Sequence, residues 1–154
     1  MGFLLACMAG GWAALPAGDA TPTARTKPRA DRPPEPPQPA PTLANVSYGP
    51  HERQVLDFWR ADSARPTPLV FHIHGGGWVK GDKARVANLE RYLAAGISVV
   101  SINYRFVTQA MLAGANPPVA WPLQDAARAL QFVRTKAPEW NIDPVRIGAT
   151  GGSA

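Results

Sequence analysis

Leu69-Val70-Phe71-His72-Ile73-His74-Gly75-Gly76-Gly77-Trp78 is the stretch on which the fold turns. Its first six residues form a nearly continuous apolar run, broken only by two histidines. Such a run suits a strand buried on both faces of a parallel sheet. The three glycines that follow predict a loop whose backbone N–H groups can approach a reacting oxygen, because no Cβ stands in the way. No Lys-Ser or Lys-Thr pair follows at phosphate-loop spacing, and no G-x-G-x-x-G occurs, so a nucleotide loop is a poor reading.

Downstream of this loop, Asp82 offers a cap for a helix in which Val86, Leu89 and Leu93 repeat at helical spacing, and Gly96 supplies the stop. Ile97–Ile102 reads as the next strand, so strand, crossover helix and strand make a βαβ unit. Upstream, Leu43–Tyr48 and Gln54–Trp59 read as a hairpin broken at Gly49-Pro50, and residues 60–68, with Pro66 and Pro68, read as loop. Residues 103–120 read as a long connection. Pro122 then opens a helix with Leu123, Ala127, Leu130 and Val133 on one face, ending near Pro138. Val145–Thr150 is one more short strand, and Gly151-Gly152-Ser153-Ala154 follows it. The fold class is therefore α/β, a mostly parallel sheet with crossover helices.

The last four residues fit the start of G-x-S-x-G, in which a serine sits on a tight, strained turn between strand and helix. Paired with the triple-glycine loop, they point to acyl transfer, where backbone donors hold a developing oxyanion.

In order and spacing, residues 43–154 resemble the N-terminal part of an α/β-hydrolase of the esterase/lipase kind. They are similar to the hormone-sensitive-lipase-like group and the neighbouring BD-FAE, feruloyl-esterase-like group. The carrying residues are His74-Gly75-Gly76-Gly77-Trp78 with Gly81-Asp82-Lys83, Asn103-Tyr104-Arg105, Trp121-Pro122-Leu123-Gln124-Asp125-Ala126, Asn141–Ile147 and Gly151-Gly152-Ser153-Ala154. The resemblance implies that Ser153 is the nucleophile. It implies an oxyanion hole built from Gly75, Gly76, Gly77 and the N–H of Ala154, with His74 supporting the loop rather than acting as base. It implies a small-molecule ester substrate and no organic or metal cofactor. A prolyl-oligopeptidase-like serine peptidase and a non-catalytic hydrolase-like binding module are the alternatives.

In that family the triad runs serine, acid, histidine along the chain. The histidines here, His51, His72 and His74, all precede Ser153. The expectation is an incomplete domain that lacks the triad acid and histidine, is inactive as it stands, and leaves its last strand as an unpaired edge prone to aggregation. His72 and His74 alternate on one strand but have no third ligand beside them, so metal binding is not expected. Asp57 and Asp125 are carboxylates to weigh; Asp125, in a first helical turn, is read as a helix-dipole residue. Trp78, Tyr104, Phe106 and Trp121 read equally as pocket rim or core.

Composition bounds the rest. Of 17 prolines in 154 residues, nine fall between Pro16 and Pro41. Residues 21–42 are therefore expected to be a disordered, semi-stiff linker. Residues 1–20 are read as an export leader, built on the uncharged run Phe3–Ala9, with periplasmic or secreted localisation. Leu4-Leu5-Ala6-Cys7 leaves a lipid anchor open, while the glycines and Pro16 argue against a stable membrane span. Cys7 is the one cysteine, which rules out an internal disulfide. The net charge of +5 is scattered and not interleaved with aromatics, so no nucleic-acid partner is expected. No signal for an oligomeric state is present.

Overall fold

The structure, a computed structural model, describes residues 37–153. The leader, most of the proline-rich linker, Cys7 and Ala154 lie outside the described residues.

Five strands form one mixed sheet: β1 (Leu43–Ser47), β2 (Val55–Trp59), β3 (Thr67–Ile73), β4 (Ser98–Ile102) and β5 (Ile142–Gly151), in the order β1-β2-β4-β3-β5. The β1/β2 and β2/β4 pairs are antiparallel; β3 runs parallel to both β4 and β5. Three helices join them: α1 (Leu89–Ala94), α2 (Val107–Leu112) and α3 (Ala120–Trp140). The hairpin, the βαβ unit and the α/β class stand as the sequence implies.

The alternation of β3 sorts its residues between two cores. Leu69 and Phe71 join Leu56, Phe58, Val100, Ile102, Ala129, Val133 and Trp140 beneath α3. Trp140 stacks on Phe58 with ring centroids 4.7 Å apart. Val70 turns the other way, to Trp59, Val86, Leu89 and Val99 beneath α1. Every residue of β4 is buried, as expected of a strand covered on both faces.

Several boundaries differ from the sequence reading. β3 begins at Thr67 and so includes Pro68, in what reads as loop. The proline is tolerated because the register to β5 shifts between Thr67 and Leu69, where no ladder donor is required. Likewise Pro144 lies inside β5, which starts at Ile142. The helix expected after Asp82 is only six residues long and starts at Leu89; Asp82 instead accepts the Ala84 N–H at 2.9 Å and closes a local turn. Val86 precedes the helix but is buried by the same core.

The connection 103–120 contains α2, whose Gln109 side chain accepts the Phe106 N–H at 2.8 Å. In α3 the inward face is Pro122, Asp125, Ala129, Val133, Ala137 and Trp140, while Leu123 is 54% exposed and Ala127 also faces out. The buried face is rotated from the one the apolar spacing predicts, because Asp125, a residue of that face, reads as polar. The helix also runs past Pro138 to Trp140. Pro138 has no N–H for the Arg134 carbonyl, but Arg134 is exposed, so water can serve that group.

Residues 37–42 hold no helix and only the first bend toward β1, yet they are fastened to the domain. The Gln38 amide donates to the Val86 carbonyl at 2.5 Å and accepts the Val86 N–H at 3.0 Å. The Trp59 indole donates to the Pro39 carbonyl at 2.9 Å.

Candidate active site

β3 and β5 end side by side, with Ile73 paired to Gly151. A Cβ on Gly151 would lie 2.7 Å from the Ile73 carbonyl oxygen, so glycine is what lets the two strand ends close up. The loops that leave them therefore face each other. A Cβ on Gly75 would strike the Gly152 carbonyl and lie 3.3 Å from the Ser153 Cβ.

Ser153 is exposed and has φ 60, in the left-handed region that L-residues seldom occupy. The Gly76 and Gly77 amides both point at one atom, the Ser153 carbonyl oxygen, each at 3.1 Å. Gly76 (φ 123) and Gly77 (φ 60) need positive φ to aim those amides together, and a Cβ on Gly76 would also strike the Lys80 carbonyl. This loop is thus a pair of convergent backbone donors that already holds a carbonyl oxygen. The structure brings together Ser153, Gly75, Gly76 and Gly77; Ala154 lies outside the described residues.

The glycine loop is held from behind. His74 is 4% exposed and stacks on Tyr104 with centroids 4.4 Å apart. Its Nδ1 lies 2.8 Å from the Gly75 carbonyl, an obligate acceptor, so Nδ1 carries the proton. The Tyr104 hydroxyl donates to the His74 carbonyl at 2.8 Å. Asn103 binds the far end of the loop, donating to Asp82 at 2.7 Å and accepting the Lys83 N–H at 2.8 Å. Burial alone would raise the Asp82 carboxyl; the bonds from Asn103 and Ala84, with Lys83 nearby, outweigh it and hold the carboxyl below its usual range. The Lys83 ammonium reaches the buried Asp57 at 2.8 Å. Gly81 completes the loop: a Cβ there would collide with the Gly75 carbonyl and the His74 ring.

Neither carboxylate weighed from the sequence faces the serine. Asp57 is spent on Lys83 and on the Asn45 N–H. Asp125 is fully buried. It takes the Arg105 guanidinium through both oxygens, the Arg105 N–H at 2.9 Å and the Gln54 side chain at 2.7 Å. It is therefore a buried structural hub, not a helix-dipole residue. Its hydrogen bond raises the Arg105 pKa against the opposing effect of burial.

The histidines are likewise placed elsewhere. His51 accepts the Arg53 N–H, and His72 shares the α1 face with Val70, paired to Ser101 and Thr150. Burial lowers the pKa of both His72 and His74, so both are neutral imidazoles near pH 7.

Of the four aromatics, Tyr104 is buried core, and Trp78 and Phe106 pack against that core. Arg53 lies over the Phe106 ring at 3.7 Å, and Arg105 lies over Trp121 at 4.2 Å. Among the described residues no three His, Cys, Asp or Glu side chains form a metal-binding group, and no helix is long and apolar enough to cross a membrane. Sequence reading missed Gln54 and the role of Arg105. Their only signal was unexplained polarity beside apolar strands.

Comparison with known proteins gives this geometry a family. The BD-FAE family model matches residues 56–154. A probable carboxylic ester hydrolase, LipM of Mycobacterium tuberculosis, is 37% identical over an alignment covering 71% of this chain and 25% of the relative. A probable isoprenylcysteine alpha-carbonyl methylesterase, ICME of Oryza sativa subsp. japonica, is 34% identical over 73% of this chain and 26% of its own. The chain thus spans about a quarter of the length of the curated relatives it matches. Among solved structures, a truncated form of a carbohydrate esterase from gut microbiota superposes with TM-score 0.61 at 30% identity, over 71% of this chain and 38% of that one. The butyrate-bound esterase Est2 of Thermogutta terrifontis gives 0.54 at 28% identity, over 63% and 34%. Strand order, glycine loop and serine turn together with these matches make the architecture the N-terminal part of an α/β-hydrolase fold, and the chain belongs to the BD-FAE family.

Proposed function

We propose that this chain supplies the nucleophile and oxyanion hole of a carboxylic-ester hydrolase that acts through Ser153. One observation carries the reading: two glycine amides converge, at 3.1 Å each, on a carbonyl oxygen of a serine held at φ 60. That is the ligand type and distance required of a site that stabilises acyl-transfer oxyanions. An ester oxygen takes this place only when the Ser153 carbonyl turns away.

The Ser153 Oγ attacks the ester carbonyl carbon, the π pair moves onto oxygen, and a base takes the hydroxyl proton. Collapse of the tetrahedral adduct breaks the ester C–O bond and returns that proton to the departing alcohol. Water then cleaves the acyl-serine by the same route. His74 holds the loop, and the N–H of Ala154 is the third donor.

None of the described histidines bonds Ser153, which supports the further reading that these residues alone are inactive and that the acid and base come from elsewhere in a longer chain. Esterase names recur among the relatives, and the glycine amides favour this reading over a peptidase or a non-catalytic module. The uncharged stretch 1–18 and the proline-rich linker support an exported protein.

The test is hydrolysis of p-nitrophenyl butyrate by the longest natural chain carrying these residues, beside residues 1–154 alone. The longer chain is expected to turn over and to lose all activity as Ser153→Ala, whereas the 154-residue chain is expected to be silent. Turnover that survives Ser153→Ala defeats the reading.

A further inference from the structure

Resting on the proposed role of the glycine loop, we propose that Tyr104 is a positioning residue for the oxyanion donors. It acts through His74 on the Gly75–Gly76 peptide. Each peptide unit is planar, with its C=O and N–H pointing in opposite directions. Whatever fixes the Gly75 carbonyl therefore fixes the Gly76 N–H on the other side, and that N–H points at the Ser153 carbonyl oxygen at 3.1 Å.

The Gly75 carbonyl is held by His74 Nδ1–H at 2.8 Å. His74 in turn is held by Tyr104 at two points: the hydroxyl donates to the His74 carbonyl at 2.8 Å, and the phenol ring lies against the imidazole, tilted by only 19°. Phe106 adds an edge-on ring contact at 6.5 Å. The hydroxyl oxygen also sits 3.2 Å from Nδ1. This places it to receive part of the same proton and to keep the ring from rotating.

The remaining imidazole nitrogen, Nε2, is buried with no hydrogen-bond partner. The Nδ1–H tautomer makes that tolerable, because a lone pair without a donor costs less than a buried N–H without an acceptor would at a site that also had to keep the Gly75 bond. One tautomer thus satisfies the whole arrangement, and Tyr104 selects the ring orientation in which it works. Tyr104 is itself fully buried and touches no reacting atom in the proposed mechanism.

The experiment uses the longest natural chain, p-nitrophenyl butyrate as substrate and phenylboronic acid as a tetrahedral-adduct probe. Tyr104→Phe keeps the ring stack and removes the hydroxyl. It is expected to lower kcat about 10- to 100-fold with KM nearly unaltered, and to weaken phenylboronic acid binding in the same ratio, because misplaced donors are felt only when the oxyanion forms. At His74, an Asn amide nitrogen stands where Nδ1 was, while a Gln amide nitrogen reaches toward Nε2. His74→Asn is therefore expected to lose several-fold less kcat than His74→Gln. A role in packing alone gives equal losses for that pair.

An unaltered kcat in Tyr104→Phe, a loss confined to KM, or equal losses in the two His74 variants overturns the inference. If Tyr104→Phe melts too low to assay, the His74 pair decides. Ser153→Ala, assayed alongside, separates the failures. If it stays active, the serine reading itself is wrong; if it is dead while Tyr104→Phe matches the parent, only the positioning role falls.

Discussion

The two segments that meet at the site are built differently. The glycine loop leaves a strand flanked on both sides by other strands, and Tyr104, Asn103, Asp82 and the Lys83–Asp57 pair fasten it. The serine turn leaves β5, most of whose residues are exposed and which is an edge strand among the described residues. Among the described residues, the hydrogen bonds that hold Ser153 come from the Gly76 and Gly77 amides. The glycine amides are thus set by a buried interior, whereas the Ser153 peptide takes its position from those amides. On the proposed function, the preorganisation that electrostatic catalysis requires resides in the first half.

This contrast can be broken by substitution on either side. Asp125→Ala should do the most harm, about 3–5 kcal/mol, because it leaves the Arg105 guanidinium and the Gln54 amide without their buried acceptor. Denaturant unfolding measures it, and a loss near zero would show that the clamped half does not depend on its ion pairs. Gly76→Ala comes next, at about 1–3 kcal/mol, since it forces a side chain into positive φ and against the Lys80 carbonyl. Its melting temperature should fall, and a melt like the parent's would mean that the loop relaxes freely.

Acid should act on the same half. His72 and His74 resist protonation in the fold because they are buried, while the unfolded chain takes up protons near the ordinary value of 6.5. More protons bound on unfolding means that stability is complete above that value and is lost as pH falls below it. Unfolding free energies compared at about pH 7 and pH 5 test the sign. Val145→Thr, on the open strand at 87% exposure, should shift stability by less than about 0.5 kcal/mol. A larger loss would mean that β5 is covered in solution.

What the sequence disclosed follows the same division. Glycines forced by backbone crowding are visible one residue at a time, and so the loop at Gly75–Gly77 and the turn at Ser153 could be found. β3 and β4 declared themselves through long apolar runs. α2 did not, because Gly114, Pro117 and Pro118 make its surroundings read as loop. The buried face of α3 is not legible in its spacing, because one of its residues is a carboxylate satisfied by Arg105 and by Gln54, 71 positions away. Local patterns report local constraints; a polar group buried by a distant partner leaves no periodic trace. The supports of the site, Tyr104 and Asn103, were visible as a motif but not as a mechanism.

The Gln38 side chain imitates a peptide unit, giving and taking one bond with Val86 as a neighbouring strand would. The packed body accordingly reaches back into the proline-rich stretch. A shortened version begun at Leu43 would strip the Trp59 indole and the Val86 peptide of their partners, whereas one begun at Pro37 would keep both.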